Sequence, residues 1–214
     1  MRPVVCMITA PIVSSAEEDG LVQRIGSAAR AGAHLIQIRQ PHVEARALTR
    51  LVERARQAVV GTAARVLVND RVDVALSAGA HGVHLRGESM PAARVRAIAP
   101  AGFVIGRSVH AVAEALAVER DGGLDYLLFG TVFATDSKPG LAPAGVEGLA
   151  AVCASASLPV LAIGGMSVSS LAPIGRTGAA GFAAIGLFAS AAVEALPQLV
   201  AAARSAFDTP GGLP

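Results

Sequence analysis

The sequence predicts a (β/α)₈ TIM barrel, a single α/β domain in which parallel strands alternate with helices. Short apolar runs alternate with longer helical segments, and about eight such pairs can be counted from end to end. The runs are apolar at successive positions, which is typical of strands buried on both faces. The length of 214 residues suits one barrel. An open doubly wound sheet is the alternative, but no Gly-x-Gly-x-x-Gly motif follows the first run, so a dinucleotide site is not indicated.

The predicted strands share short length and branched or aromatic apolar residues. They are Val4–Ile8, His34–Ile38, Arg65–Val68, Gly82–Leu85, Phe103–Ile105, Tyr126–Phe129, Val160–Ile163 and Gly181–Ile185. The clearest helical patterns, with apolar residues three or four apart, are Ala45–Val60, Ala111–Arg120 and Ala189–Ala206. No internal linker divides the chain, so we expect the barrel to span residues 1–206 and residues 207–214 to form a flexible tail.

The composition argues against several classes of protein. No apolar run reaches the roughly 18 residues that a membrane helix needs. Net charge is only +2, acids lie among the arginines, and aromatic residues make up 3%, so a nucleic-acid surface is not expected. Cys6 and Cys153 form no close pair, which is typical of reduced thiols. We expect a cytoplasmic protein that binds a small molecule, and a homodimer is left open.

In a barrel of this kind the functional residues gather at the carboxyl ends of the strands. Gln37 and Arg39 end the second predicted strand two residues apart, so they face the same side of an extended chain. An amide and a guanidinium at the barrel rim suggest an anionic ligand. The alternative is that Arg39 pairs with an acid on a neighbouring strand.

The next three strands end in polar residues that each allow a structural or a functional interpretation. Asn69 and Asp70 follow the third strand, where Asp70 either caps a helix or binds a metal. Glu88 is the other carboxylate that could join Asp70 at a divalent cation, and two carboxylates alone make a poor Mg²⁺ signal. His84 is either a hydrogen-bonded rim histidine or a catalyst, and Ser108 either caps a helix or contacts a ligand.

The loop after the sixth strand contains Lys138, the one lysine among 18 basic residues. Thr135 and Ser137 precede it, and hydroxyl groups beside an ammonium suit a phosphate or carboxylate. A solvated lysine without function is the alternative.

Glycines follow the last two predicted strands. Gly164 and Gly165 come after the seventh, and Gly186 comes after the eighth. Such glycines let backbone N–H groups approach an anion, and these two loops commonly bind phosphate in this fold. Simple turn glycines are the alternative interpretation.

Five motifs, in this order and at these intervals, resemble the thiamine phosphate synthase/TenI family over roughly residues 4–190. They are Asn69-Asp70-Arg71, Gly82-Val83-His84-Leu85, Gly106-Arg107-Ser108-Val109-His110, Phe129-Gly130-Thr131-Val132-Phe133 and Pro159-Val160-Leu161-Ala162-Ile163-Gly164-Gly165. The resemblance implies a (β/α)₈ barrel. A synthase of this family joins a pyrimidine diphosphate to a thiazole phosphate, using Mg²⁺. The resemblance would place the thiazole phosphate at Gly164, Gly165 and Gly186. It would place the diphosphate and metal near Gln37, Arg39, Asn69, Asp70, Ser108, Thr135, Ser137 and Lys138.

Two departures from the synthase pattern favour the TenI-like branch, which isomerises a thiazole carboxylate phosphate to its aromatic tautomer. Pro41 stands where the synthase has a lysine, and Ser89 stands where it has a second Mg²⁺ aspartate. The loop with Asp136 also resembles the TenI type more closely, although Thr131 stands where the tautomerase has its proposed histidine base.

The favoured expectation is therefore a thiazole tautomerase that binds a thiazole or thiamine phosphate. The expected catalytic residues are Arg39, Lys138, His84 and His110, with Thr131 among the ligand contacts. Thiamine phosphate synthase is the alternative, and a non-catalytic binding protein is the third hypothesis. No cofactor is assigned, and Mg²⁺ at Asp70 is expected only if synthase activity is retained.

Overall fold

A computed structural model describes residues 3–14, 16–135, 140 and 142–208. Eight parallel strands close into a barrel in sequence order, and the last strand pairs with the first. The predicted fold class is confirmed. The strands are β1 Val4–Ile8, β2 Leu35–Ile38, β3 Arg65–Asn69, β4 Gly82–Leu85, β5 Val104–Val109, β6 Tyr126–Gly130, β7 Val160–Ile163 and β8 Gly181–Ala184.

Helices cover the outside of the barrel. They are α1 Ala16–Ala31, α2 Ala45–Ala58, α3 Val72–Ser77, α4 Ala92–Ile98, α5 Val112–Asp121, α6 Gly145–Ser155, α7 Leu171–Gly175, α8 Gly186–Ala189 and α9 Leu196–Asp208. Short 3₁₀ turns at Val168–Ser170 and Val193–Ala195 precede α7 and α9. Over the described ranges, no helix combines the length and the apolar character that crossing a bilayer requires.

The C-terminal helix differs from its prediction. The expected helix Ala189–Ala206 is interrupted, because α8 ends at Ala189 and α9 begins only at Leu196. Pro197 lies in the first turn of α9, where a residue without an N–H group is tolerated. The helix continues to Asp208, and Phe207 is buried against Phe182 with ring centroids 6.3 Å apart. The barrel therefore extends two residues beyond the predicted boundary at 206, and residues 209–214 of the expected tail lie outside the described ranges.

Side chains alternate across each strand, so the sheet has two apolar faces. The outward face packs under the helices. The inward face forms an inner apolar cluster of Cys6, Ile8, Leu67, Tyr126, Leu128, Leu161 and Ala183. The Tyr126 ring fills the space over Gly106, where a Cβ atom would overlap the ring. The interior below the strand ends is consequently packed.

Four polar side chains lie on the inward face above this cluster. Gln37, Asn69, His84 and Ser108 lie on β2 to β5, one on each strand, and we call them the polar layer. Strand β5 was predicted to end at Ile105 but continues to Val109. Ser108 is therefore a strand residue facing inward, so the predicted strand end at Ile105 and the alternative of a helix cap are wrong.

Candidate active site

The mouth of the barrel collects the predicted site residues that the structure describes. Each lies at or just beyond the carboxyl end of its strand, as the fold requires. They are Gln37, Arg39, Asn69, Asp70, His84, Ser108, His110, Thr131, Thr135, Gly164, Gly165 and Gly186. Ser137, Lys138 and Asp136 lie outside the described residues.

A chain of three side chains crosses one side of the mouth. His84 Nδ1 lies 2.9 Å from the Tyr126 hydroxyl, and His84 Nε2 lies 2.9 Å from Ser108 Oγ. Burial lowers the pKa of His84 to about 4, and burial raises the pKa of Tyr126 well above its usual value. His84 is therefore a neutral imidazole, and Tyr126 keeps its proton.

The direction of these hydrogen bonds follows from the chemistry of the groups. Among the residues that the structure describes, the buried Tyr126 hydroxyl has His84 as its one hydrogen-bond partner, so the hydroxyl donates to Nδ1. A neutral imidazole that accepts at Nδ1 carries its proton at Nε2 and donates it to Ser108 Oγ. The hydroxyl proton of Ser108 is then left to donate to a ligand at the mouth.

The other half of the polar layer is an amide pair. Gln37 Nε2 donates to Asn69 Oδ1 at 2.9 Å. Gln37 is 2% exposed, and within the described ranges its Oε1 atom is buried without a hydrogen-bond partner. A buried acceptor that lacks a donor is costly, so this atom suits the N–H group of a ligand.

Arg39 continues the line of Gln37 toward the rim. Its backbone N–H donates to Thr9 Oγ1 at 2.9 Å, and the neighbouring Gln40 amide donates to Thr9 Oγ1 and to the Ala10 carbonyl. The half-buried Arg39 guanidinium makes no ion pair or hydrogen bond with the described part of the chain. The alternative of an acidic partner on a neighbouring strand is therefore not realised there, and the cation suits an anionic ligand.

Asp70 is held in an unusual backbone conformation at the end of β3. Its φ is +63°, in the left-handed region that Asp tolerates better than most residues, and its N–H donates to the His84 carbonyl at 2.8 Å. Arg71, not Asp70, occupies the N-cap position of α3. The carboxylate accepts from Arg86 Nε at 2.7 Å, pairs with Arg86 Nη2 at 2.6 Å, and accepts from the Ser89 hydroxyl.

The segment that supplies Arg86 and Ser89 is the β4–α4 loop, residues 86–91. Arg107, 8% exposed on the outward face of β5, binds its backbone. The guanidinium donates to the carbonyl groups of Gly87 at 2.5 Å, Ser89 at 2.9 Å and Met90 at 3.0 Å. This buried cation holds the loop against the rim.

The loops after β6 and β7 pack directly on each other. A Cβ atom on Gly164 would lie 2.5 Å from Thr131 Cγ2, and one on Gly165 would lie 2.5 Å from the Ala134 carbonyl oxygen. Both glycines also have positive φ, +107° and +63°. Close packing therefore explains why these positions are glycine, whether or not they also bind phosphate. Gly186 begins α8, so its N–H has no acceptor within that helix.

The two remaining predicted positions line the rim beside β5 and β6. Thr131 is buried, and His110 Nδ1 is hydrogen-bonded to the Gly130 carbonyl. The His110 backbone N–H donates to the Glu114 carboxylate at 2.7 Å, which fixes the start of α5.

Three residues of this site were missed from the sequence. Tyr126 is the one tyrosine of the chain and lies in an apolar run, where its hydroxyl group needs a partner. That need was an available signal. Arg86 directly follows a strand, which is where site residues gather. Arg107 gave a signal only as the one charged residue in the stretch Val104–Val109.

Comparison with known proteins agrees with the geometry. A family model described as "Thiamine monophosphate synthase" matches residues 5–188. The chain is 37% identical to the thiamine-phosphate synthase of Chlorobium luteolum, over 86% of this chain and 84% of that protein. It is 39% identical to that of Methanoculleus marisnigri, over 85% and 83% of the two chains.

Solved structures show the same likeness. The thiamine phosphate pyrophosphorylase of Pyrococcus furiosus superimposes with a TM-score of 0.82 at 33% identity, over 96% of this chain and 95% of that one. A 3-hexulose-6-phosphate synthase, at 20% identity and a TM-score of 0.71, shares the fold alone.

These relatives correct two expectations, the TenI-like branch and the tautomerase activity, because they carry the name of the synthase. The geometry of His84 agrees with this correction, because both of its ring nitrogens are hydrogen-bonded and it is not free to act as the base that a tautomerase needs. The chain belongs to the thiamine monophosphate synthase family.

Proposed function

We propose that this protein is a thiamine-phosphate synthase, which joins a pyrimidine diphosphate to a thiazole phosphate. The single observation that carries the proposal is the pair of groups that the mouth of the barrel presents to an anion. It combines an Arg39 guanidinium without an acidic partner among the described residues and a Ser108 hydroxyl whose proton is left for a ligand. The identity to synthases over most of the chain supports the same activity. We expect the reaction to take place in the cytoplasm.

The reaction exchanges one bond for another. The bond between the pyrimidine methylene carbon and the diphosphate oxygen breaks, and its electron pair leaves with the diphosphate. The lone pair of the thiazole nitrogen then forms the new carbon–nitrogen bond. The products are thiamine phosphate and diphosphate, and no proton has to be removed from either substrate.

Catalysis in this scheme rests on stabilising negative charge on the departing oxygen. Arg39 contributes a cation and Ser108 a hydrogen bond, and removal of one such donor typically costs about 3–4 kcal/mol. His84 is then a positioning residue, which fixes the orientation of Ser108 and does not itself exchange a proton. Because no base is required, Thr131 in place of a histidine is no obstacle, and His110 is assigned no catalytic role.

The remaining contacts are assigned by chemistry. The buried Gln37 Oε1 is an acceptor and suits the amino group of the pyrimidine, with Asn69 fixing the amide through its hydrogen bond. The thiazole phosphate is assigned to the backbone N–H groups of Gly164, Gly165 and Gly186. Thr135, Ser137 and Lys138 remain predicted diphosphate contacts, the last two outside the described residues.

Mg²⁺, which the family resemblance implies, fits the described residues poorly. No group of three or more His, Cys, Asp or Glu side chains suited to a metal occurs in the described ranges. Both oxygens of Asp70 already accept hydrogen bonds, and the second carboxylate position holds Ser89. We therefore derive no step through a metal.

The test supplies the purified protein with both substrates and measures thiamine phosphate by fluorescence after oxidation to the thiochrome. Wild type should form product, and Ser108→Ala should lower kcat about 100-fold or more. Ser155→Ala, at an exposed serine on α6, serves as the matched control and should keep wild-type activity. Absence of product at stoichiometric enzyme would refute the synthase, and thiazole phosphate binding without turnover would indicate an accessory binding protein.

A further inference from the structure

We propose that Arg86 takes the place of a metal ion in the diphosphate site, with Asp70 holding the guanidinium at the rim. Diphosphate would then bind without a divalent cation. This inference rests on the proposed function for its meaning, but its binding test does not need turnover.

The hydrogen bonds of the Asp70 carboxylate are the first observation that supports this proposal. One carboxylate oxygen, Oδ2, accepts from Arg86 Nε at 2.7 Å and pairs with Nη2 at 2.6 Å. The other oxygen accepts from the Ser89 hydroxyl, and Ser89 Oγ in turn accepts the Arg86 backbone N–H at 2.8 Å. Both oxygens of the carboxylate are committed, and so are the donor and an acceptor site of the serine. Three donors occupy three of the about four lone-pair sites of this carboxylate, so Asp70 offers Mg²⁺ at most one position while the arrangement stays intact.

The formal charge of the group formed by Asp70, Arg86 and Ser89 is the second observation that supports this proposal. Two aspartates with one Mg²⁺, which the family resemblance implies here, sum to −2 + 2 = 0. Asp70 with Arg86, and a neutral Ser89, sum to −1 + 1 = 0. The substitution at position 89 removes one negative charge, and a monovalent cation restores the same balance. Adding Mg²⁺ to the present set would instead leave a charge of +2.

The remaining donors of Arg86 carry the third step. A guanidinium has five N–H donors in a fork that matches phosphate oxygens, and Asp70 engages only Nε and one N–H of Nη2. The side chain is 69% exposed, so its other N–H groups are open to a ligand. Asp70 is tied through its backbone to His84, which places Arg86 on the same rim as Ser108.

Arg107 carries the fourth step, because it limits how far Arg86 can move. Its three hydrogen bonds to the backbone of the β4–α4 loop fix residues on either side of Ser89. A cation on a held loop meets an anion with less loss of conformational entropy than one on a free loop.

The test titrates inorganic diphosphate calorimetrically into the intact protein at fixed ionic strength, once in EDTA and once in excess Mg²⁺. Wild type should bind in EDTA with a Kd within about threefold of that in Mg²⁺, whereas Arg86→Ala should bind in EDTA about tenfold or more weakly. Arg94→Ala, at an exposed arginine on α4, is the matched control and should bind like wild type. Thermal unfolding confirms that each variant is folded.

A double variant tests the same idea in reverse. Arg86→Ala with Ser89→Asp provides two carboxylates and no guanidinium, so its diphosphate binding should become about tenfold or more stronger in Mg²⁺ than in EDTA. The proposal is overturned if wild type needs Mg²⁺ to bind diphosphate, if it binds none under either condition, or if Arg86→Ala binds in EDTA like wild type. Failure of the synthase activity would be recognised separately, as absent thiamine phosphate with intact diphosphate binding.

Discussion

The buried histidine of the polar layer should make the folded state sensitive to mild acid. Burial lowers the pKa of His84 from 6.5 to about 4, so between these values the unfolded chain binds a proton that the folded chain does not. Stability is therefore fully present above about pH 6.5 and is lost as the pH falls toward 4. A shift of this size corresponds to about 3 kcal/mol in total, of which about 2 kcal/mol should disappear between pH 7 and pH 5.

The perturbation that isolates this contribution is His84→Gln. Glutamine can still accept from Tyr126 and donate to Ser108, but it does not titrate. Burial also lowers the pKa of His34 and His81, so the wild-type protein loses stability in acid through more than one histidine. The difference between wild type and variant removes their contribution.

The assay is urea unfolding followed by circular dichroism at pH 7, 6 and 5. We expect the free energy of unfolding of wild type to fall more steeply than that of His84→Gln, by about 2 kcal/mol over this range. Parallel pH dependence in the two proteins would refute the reasoning, because it would mean that His84 titrates normally in the folded state.

Three further predictions concern the barrel frame and the mouth. Gly82→Ala should lower the free energy of unfolding by about 1–3 kcal/mol, because its Cβ would overlap the Val104 carbonyl oxygen. Gly20→Ala, in open space on α1, should raise the free energy of unfolding by about 0.5–1 kcal/mol in the same urea assay. Arg107→Met should leave three carbonyl groups of the β4–α4 loop without their donor, and hydrogen exchange of that loop should become faster while β1 is unchanged. Tyr126→Phe should lower kcat about tenfold, less than Ser108→Ala, since the hydroxyl acts only through His84.

The strands of the barrel were predictable because a parallel strand buried on both faces is apolar at nearly every position. Val4–Ile8, Gly82–Leu85 and Val160–Ile163 match the structure at both ends. β5 was the exception, since Arg107 and Ser108 are polar although both lie in a strand. Arg107 faces outward and holds the β4–α4 loop, whereas Ser108 faces inward to the mouth. Adjacent polar residues are also typical of a turn, so local hydropathy could not distinguish this strand from a turn.

The site was predictable by position but not by pairing. Strand ends indicated Gln37, Asn69, His84 and Ser108, because the fold brings them to one edge. Which cation meets Asp70 was not predictable, since Arg71 is its sequence neighbour but pairs with Asp73 at 2.6 Å. Arg86 is 16 residues away and reaches Asp70 only because β3 and β4 are adjacent in the barrel.

The packed inner apolar cluster has a consequence for the order of events at the mouth. Because Tyr126, Leu128 and Leu161 close the barrel below the polar layer, no ligand can pass through to the opposite end. A molecule seated on Gln37 would therefore have to leave by the mouth through which it entered. Under the proposed function, a second substrate bound above it would block that exit, so the two substrates would enter one after the other and the product on Gln37 would leave last.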